Sequence, residues 1–285
     1  MKILGLVGSV RQSGNSEILT KEALLGAEEE GAQVEILRLT DYRVEPCTGC
    51  AACLLQERDC VIKDDANFIF AKMAESDGII VGVPCYILEA TAIVKQLIDR
   101  GFAPMQQNTL RGKVGGVIVP YATRGWTQNV FQMTNTWLLA LGIHVIDQLL
   151  IHVQGLSEAP LIQDALEKSR NLGKQVVRAI QTGDTSFQGE EGICPVCHDR
   201  NIRILKDMET VECPVCAVRG SLKIEDGRIK VVFTQEAIAR HRWSVENLQR
   251  HFSYHLKPSK DFFIRTKVQR KDMAQKYKDY LKKSK

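Results

Sequence analysis

Between residues 2 and 182 short apolar runs alternate with stretches of helical periodicity, and this alternation restricts the chain to a parallel α/β sheet. The runs at 3–7, 34–39, 78–83, 114–119 and 145–153 read as strands. Helices are expected to begin near Asn15, Asp64, Glu89 and Thr127, with a fifth over 161–180. Several strand runs are apolar throughout, as in strands that helices cover on both faces. The Asp64-Asp65 pair suits a helix start, where carboxylates cap free amides and complement the dipole. Five strands and five helices fit the doubly wound order 2-1-3-4-5, in which ligands bind at the carboxyl ends of the strands.

Beyond this first unit (1–183) the character of the chain changes. Residues 182–192 (TGDTSFQGEEG) are polar turn formers and read as a linker. A small β module is expected over 190–233, with two Cys-Pro-Val-Cys elements and an Asp226-Gly227 hairpin turn. Residues 234–285 are helical in pattern, broken at Pro258-Ser259, and end in a lysine-rich helix. Net charge is +4, yet residues 257–285 hold 11 Lys/Arg against three Asp, which leaves −4 for residues 1–256. Met273, Tyr277 and Leu281 recur at helical spacing and predict docking of that helix by one stripe. Its basic face reads as solvated, or as a surface for an acidic redox carrier or nucleic acid.

Eight of the nine cysteines form two quartets, Cys47, Cys50, Cys53 and Cys60, then Cys194, Cys197, Cys213 and Cys216, with Cys85 apart. In a cytosolic protein such clustering argues for metal ligation rather than disulfides. A cytoplasmic location is the expectation. The opening MKILGLVGS has a brief apolar run and no small-residue cleavage site, so it reads as a first strand rather than a signal peptide. No apolar stretch is long enough to span a bilayer. Hydrophobic content of 44% and charged content of 25% are those of an ordinary soluble protein.

The loop after the first strand, residues 8–16 (GSVRQSGNS), opens a predicted helix. Inward-pointing amides, a helix N-terminus, the hydroxyls of Ser9, Ser13 and Ser16 and the Arg11 guanidinium together suit a phosphate. The alternative is a polar loop that caps the helix through Ser13 or Asn15. Neither the dinucleotide glycine pattern nor a P-loop is present. The loop resembles the FMN-phosphate loop of the NADPH-dependent FMN reductase and iron–sulfur flavoprotein families, a Gly-Ser-x-Arg-x-x-Gly-Asn-Ser/Thr pattern. Three further motifs continue the resemblance over about two thirds of the chain. Gly82-Val83-Pro84-Cys85-Tyr86 is similar to the family's Gly-x-Pro-x-Tyr loop against the isoalloxazine. Residues 95–100 (KQLIDR) resemble its Lys-x-x-Ile-Asp-Arg helix, and Thr123-Arg124-Gly125 resembles its third flavin loop. Trp126 stands where that loop often has a second glycine.

The resemblance implies a flavodoxin-like fold and FMN held by Ser9, Arg11, Ser13, Gly14, Asn15, Ser16, Pro84, Cys85, Tyr86, Ile87, Thr123, Arg124, Gly125 and Trp126. Tyr86 and Trp126 are the aromatics placed to contact the ring, and each has the alternative role of a buried aromatic. Cys85 replaces a small apolar residue and reads as packing.

Cys47-x2-Cys50-x2-Cys53-x6-Cys60 follows the second strand. Thiolates at such intervals can grip the corners of a [4Fe–4S] cube, and small Thr48, Gly49, Ala51 and Ala52 let backbone amides turn toward the sulfurs. Zinc, or free thiols left by a lost cluster, are the competing readings. The iron–sulfur flavoproteins carry a compact motif of this form at this location. Cys194-x2-Cys197-x15-Cys213-x2-Cys216 has four-cysteine zinc-ribbon spacing. Its second knuckle also resembles that of rubredoxin, which holds iron. The first knuckle continues His198-Asp199 instead of glycine and an aromatic, which favours zinc. The six histidines show no metalloprotease-like spacing.

Taken together these readings predict an oxidoreductase that moves electrons between FMN, the cluster and a donor, either NAD(P)H or a ferredoxin-like carrier. No general acid or base is named. The resemblance also implies a homo-oligomer, a dimer or a tetramer. Two alternatives stand beside it. One is an NAD(P)H-dependent FMN or quinone reductase without a working cluster. The other is a redox-sensing nucleic-acid-binding protein, which the ribbon's few basic residues disfavour.

Overall fold

A computed structural model describes residues 1–279. The apolar runs form β1 (Lys2–Val7), β2 (Gln33–Arg38), β3 (Gly78–Gly82), β4 (Val114–Tyr121) and β5 (His144–His152). They pair in parallel in the order β2-β1-β3-β4-β5, the doubly wound order expected from the sequence. The helices of this unit are α1 (Asn15–Glu29), α2 (Ala52–Gln56), α3 (Ala66–Glu75), α4 (Ala92–Asp99), α5 (Phe102–Gln107), α6 (Val130–Ala140) and α7 (Gln163–Thr182).

Two cores lie on opposite faces of the sheet. Ile69, Met73, Val94, Leu97 and Trp137 of α3, α4 and α6 fill one. Leu19, Ala23, Leu172 and Val176 of α1 and α7 fill the other. Helices α1 and α7 approach closely because neither has a side chain at the crossing. A Cβ on Gly173 would lie 1.7 Å from the Ala23 carbonyl oxygen, and one on Gly26 2.0 Å from that of Arg170.

Two expected helix starts move by three residues, that near Thr127 to Val130 and that near Glu89 to Ala92. Glu89 lies in a short antiparallel ladder, Cys85 opposite Ala90 and Tyr86 opposite Glu89, so α4 begins only at Ala92. Ile87 and Leu88 make the turn with φ of 46° and 72°, a left-handed pair that neither residue type advertises.

After α7 the chain lies against the sheet. The Gln188 amide donates to the Ile146 carbonyl at 2.6 Å, and Phe187 stacks on His198 with ring centroids 3.6 Å apart. The β module is an antiparallel sheet of β6 (Arg203–Ile204), β7 (Thr210–Glu212), β8 (Arg219–Glu225) and β9 (Arg228–Phe233), with Asp226 and Gly227 both left-handed at the hairpin turn. Then come α8 (Gln235–Ala239), α9 (Val245–Arg250), a widened turn over His251–Leu256, α10 (Lys257–Arg265) and α11 (Lys267–Asp279). Pro258 does not break this region. It lies just past the widened turn, and the helical run continues through it from Val245 to Arg265. Met273 and Tyr277 are exposed, and Leu281 lies outside the described residues. No described helix is long and apolar enough to cross a membrane.

Candidate functional site

The carboxyl ends of β1, β3, β4 and β5 surround a cleft of about 180 Å³. Its floor is set by tight backbone packing. The Gly8 amide donates to the Gly82 carbonyl at 2.9 Å, and the Thr91 hydroxyl donates to the Gly8 carbonyl at 2.5 Å. A Cβ on Gly82 would stand 1.9 Å from Thr20 Oγ1, so only glycine lets β3 approach the first turns of α1. No side chain caps α1 at Gly14, and its first residues, Asn15 and Ser16, line the cleft. Ser9 and Ser16 are buried there, and Arg11 lines the mouth.

The capping alternative for Ser13 and Asn15 does not occur. Asn15 instead braces the loop after β5, donating to the Gly155 carbonyl at 2.9 Å and accepting from the Ala159 amide at 3.0 Å. The Ser157 hydroxyl donates to the Ser13 carbonyl at 2.7 Å, and the Ser13 amide donates to Glu17 at 2.9 Å. Burial alone would raise the Glu17 carboxyl. Hydrogen bonds from Lys21 and the Ser13 amide, with the charges of Lys21 and Arg38, outweigh it and hold the group below the usual carboxylate range. Arg38 also approaches the Val10 carbonyl, which ties the end of β2 to this loop.

Of the residues expected here, Ser9, Arg11, Asn15, Ser16, Pro84, Cys85 and Tyr86 line the cleft. Ser13 and Gly14 lie in the same loop. Ile87, Thr123, Arg124, Gly125 and Trp126 do not line it and stand on exposed turns at its rim. Tyr86 and Trp126 are 51% and 56% exposed, so neither is a buried aromatic. Cys85 Sγ donates to the Trp126 carbonyl at 3.2 Å and couples the two turns. Burial pushes the Cys85 thiol up, which keeps it protonated. Sequence reasoning missed Pro120, Tyr121, Ala122 and the segment 153–156 on this cleft. Gly155, just past the fifth strand, was the available signal.

The first cysteine quartet hangs from a closed neck. The Arg43 amide donates to Asp65 at 2.7 Å, the Asp65 amide returns a bond to the Arg43 carbonyl at 2.9 Å, and the Glu45 amide donates to Asp64 at 2.7 Å. Cys47 and Cys50 are exposed while Cys53 and Cys60 are half-buried, and none is in a disulfide. Left-handed Gly49 and Ala51 turn amides toward sulfur, with Gly49 N 3.5 Å from Cys47 Sγ. The Ala52 amide and the Thr48 hydroxyl pull the Cys50 thiol down. Burial pushes the Cys53 thiol up, and the negative charge of Cys60, Cys50 and Cys47 adds to it. The four cysteines share one loop. They are not gathered at the spacing of a single ion, unlike the second quartet. Four cysteines on one loop, with the Gly49 and Ala52 amides on two of the sulfurs, fit a multi-iron cluster.

In the second quartet all four cysteines are buried and their sulfurs lie within 4.8 Å of one another, the arrangement of a tetrahedral thiolate site. Both knuckles end in a left-handed residue, His198 and Ala217. Hydrogen bonds with Cys197, Cys213 and Cys216 pull the Cys194 thiol far down, and hydrogen bonds with Cys194, Cys197 and Cys213 push Cys216 far up. Four thiolates so close would repel one another, and a bound cation would offset that repulsion. The module is docked on the sheet: Asn135 donates to the Cys197 carbonyl at 2.9 Å and Gln148 to that of His198 at 3.3 Å. It also reaches the rim. Asn201 donates to the Gln128 carbonyl at 2.6 Å, and the Gln128 side chain donates to the Gly125 carbonyl at 2.7 Å.

Comparison with known proteins agrees with this geometry. Residues 1–155 match the NADPH-dependent FMN reductase family. An iron–sulfur flavoprotein of Methanocaldococcus jannaschii is 37% identical over 190 residues, which cover 64% of this chain and 98% of the relative. An iron–sulfur flavoprotein of Methanosarcina thermophila is 33% identical over 168 residues, 58% of this chain and 87% of the relative. In structure, a flavone reductase superposes with a TM-score of 0.80 at 22% identity, covering 99% of this chain and 98% of the other, so the two share the fold, the region of the cysteine module included. The chain therefore belongs to the NADPH-dependent FMN reductase family and is an FMN-dependent oxidoreductase.

Proposed function

We propose that the protein passes electrons between a donor, FMN seated in the cleft and a [4Fe–4S] cluster held by Cys47, Cys50, Cys53 and Cys60. The observation that carries this reading is adjacency. The uncapped N-terminus of α1 follows β1, and the cysteine loop follows β2, the strand paired with β1. Arg38 ties the two exits together through Glu17 and the Val10 carbonyl.

Ser9, Ser16, Arg11 and the α1 amides would hold the flavin phosphate, while Tyr86 and Trp126 would flank the ring from the rim. Bound FMN supplies hydride acceptance from a nicotinamide and single-electron exchange with a cluster. The protein's part is to orient it and to limit water through the turns at 85–90 and 123–126. Cys194, Cys197, Cys213 and Cys216 would hold zinc, for which the closed tetrahedral thiolate set is suited. The exposed Cys47–Cys50 tip is where a small carrier such as a ferredoxin, or a second subunit of a homo-oligomer, would meet the cluster.

Anaerobic purification followed by a visible spectrum and metal analysis tests the reading. Flavin bands, broad iron–sulfur absorption and about four irons with one zinc per chain are expected. A colourless chain that holds only zinc would sink it. Stopped-flow mixing with NADPH, NADH and reduced ferredoxin then identifies the donor. Rapid bleaching by a pyridine nucleotide, with no cluster signal, would favour the second reading, direct reduction of an acceptor at the exposed Tyr86–Trp126 rim.

A further inference from the structure

We propose that Arg100 is a positioning residue for Cys60 and sets the reduction potential of the cluster, an inference that rests on the [4Fe–4S] reading above. Arg100 ends the 95–100 segment, far from the quartet in sequence, yet its fork addresses three partners of the loop at once. Nε lies 3.3 Å from Cys60 Sγ, Nη1 donates to the Glu45 carbonyl at 2.7 Å, and Nη2 donates to Asp64 Oδ1 at 2.9 Å, with Nη1 also on Asp64 Oδ2. Both charged side chains are completely buried.

A buried guanidinium is costly unless each of its donors is used, and here they close the neck of the cysteine loop. A lysine cannot make these contacts, because an ammonium has no planar fork. Cys60 is thereby unlike its three companions. Its carbonyl accepts from Asn67 at 2.9 Å and its sulfur accepts from Arg100, whereas Cys47 and Cys50 lie on the exposed tip. Cys60 is the corner that Asn67 and Arg100 hold to the fold.

A cation that donates to a ligand sulfur favours the more negative state of a cluster, the reduced one, and outer-shell hydrogen bonds and charge are levers on such potentials. Asp64 opposes it from the other side of the same guanidinium. Removing each partner should therefore move the potential in opposite senses, which loss of folding would not do.

The test is a potentiometric titration followed by electron paramagnetic resonance on chains reconstituted under argon, with iron counted in each. Arg100→Gln should shift the midpoint to more negative potential, Arg100→Lys in the same sense by less, and Asp64→Asn to more positive potential. If Arg100→Gln does not accumulate, the Lys and Asn variants still give the opposed pair. Four irons with unmoved midpoints, or shifts of one sign in all variants, would overturn the role of Arg100 and leave the cluster standing. A wild-type chain that takes up no iron would overturn the cluster reading itself, and this inference with it.

Discussion

Two buried carboxylates act on stability in opposite directions. Burial would raise Asp64, but Arg100 and the Glu45 and Ala66 amides outweigh it and keep the group ionised below the usual range. Its contribution is therefore complete above an unfolded carboxyl value of about 4 and is lost as pH falls through the lower folded value. Asp147, under the docked module, is raised by burial, and only the Gln148 amide works against this. Its folded value lies above the unfolded one, so the ionised form costs stability at neutral pH, and that cost fades as pH falls through the folded value. Asp147→Asn should melt a few degrees higher than wild type at pH 7. The difference should vanish below about pH 4, where both states of the parent are protonated. Thermal melts across that range check it, and a gap that persists in acid would refute the assignment.

At the scale of elements, the α1–α7 crossing depends on the absence of side chains. Gly173→Ala places a methyl 1.7 Å from the Ala23 carbonyl oxygen, backbone that cannot rotate away, so the helices must separate. A loss of about 1–3 kcal/mol is expected in denaturant unfolding. Flavin affinity should fall with it, because α1 borders the cleft proposed for FMN. Such crossings are invisible in one sequence, since the contact joins glycines far apart along the chain. The strands were legible, for the opposite reason: residues such as Ile79, Ile80 and Val81 are apolar on both faces and announce burial locally. The ladder at 85–90 was not, because its left-handed turn is built from Ile87 and Leu88 rather than asparagine and glycine. Likewise the loop GSVRQSGNS could be singled out from the sequence, and it does border the cleft, whereas Tyr121 and Gly155 joined the cleft only through strand order. Arg100 was legible as part of a motif, but its contact with Cys60 required the fold.

For the whole molecule, the four-cysteine module touches the rim of the cleft through Asn201, Gln128 and Gly125. Metal loss there should be felt at the cleft. Stripping the module with a chelator, or Asn201→Ala, should loosen the 123–126 turn and weaken FMN binding by roughly tenfold, about 1.4 kcal/mol. Fluorescence titration of FMN measures it, and identical affinity in all three preparations would show the module to be energetically separate.

Since the hydrogen bonds that close the neck at Arg43, Asp64 and Arg100 all run between protein groups, damage by air to a cluster held below it should leave the neck itself intact. The same batch of protein should then survive repeated emptying and refilling with iron and sulfide, its flavin half undisturbed, much as a socket outlasts the lamp it holds.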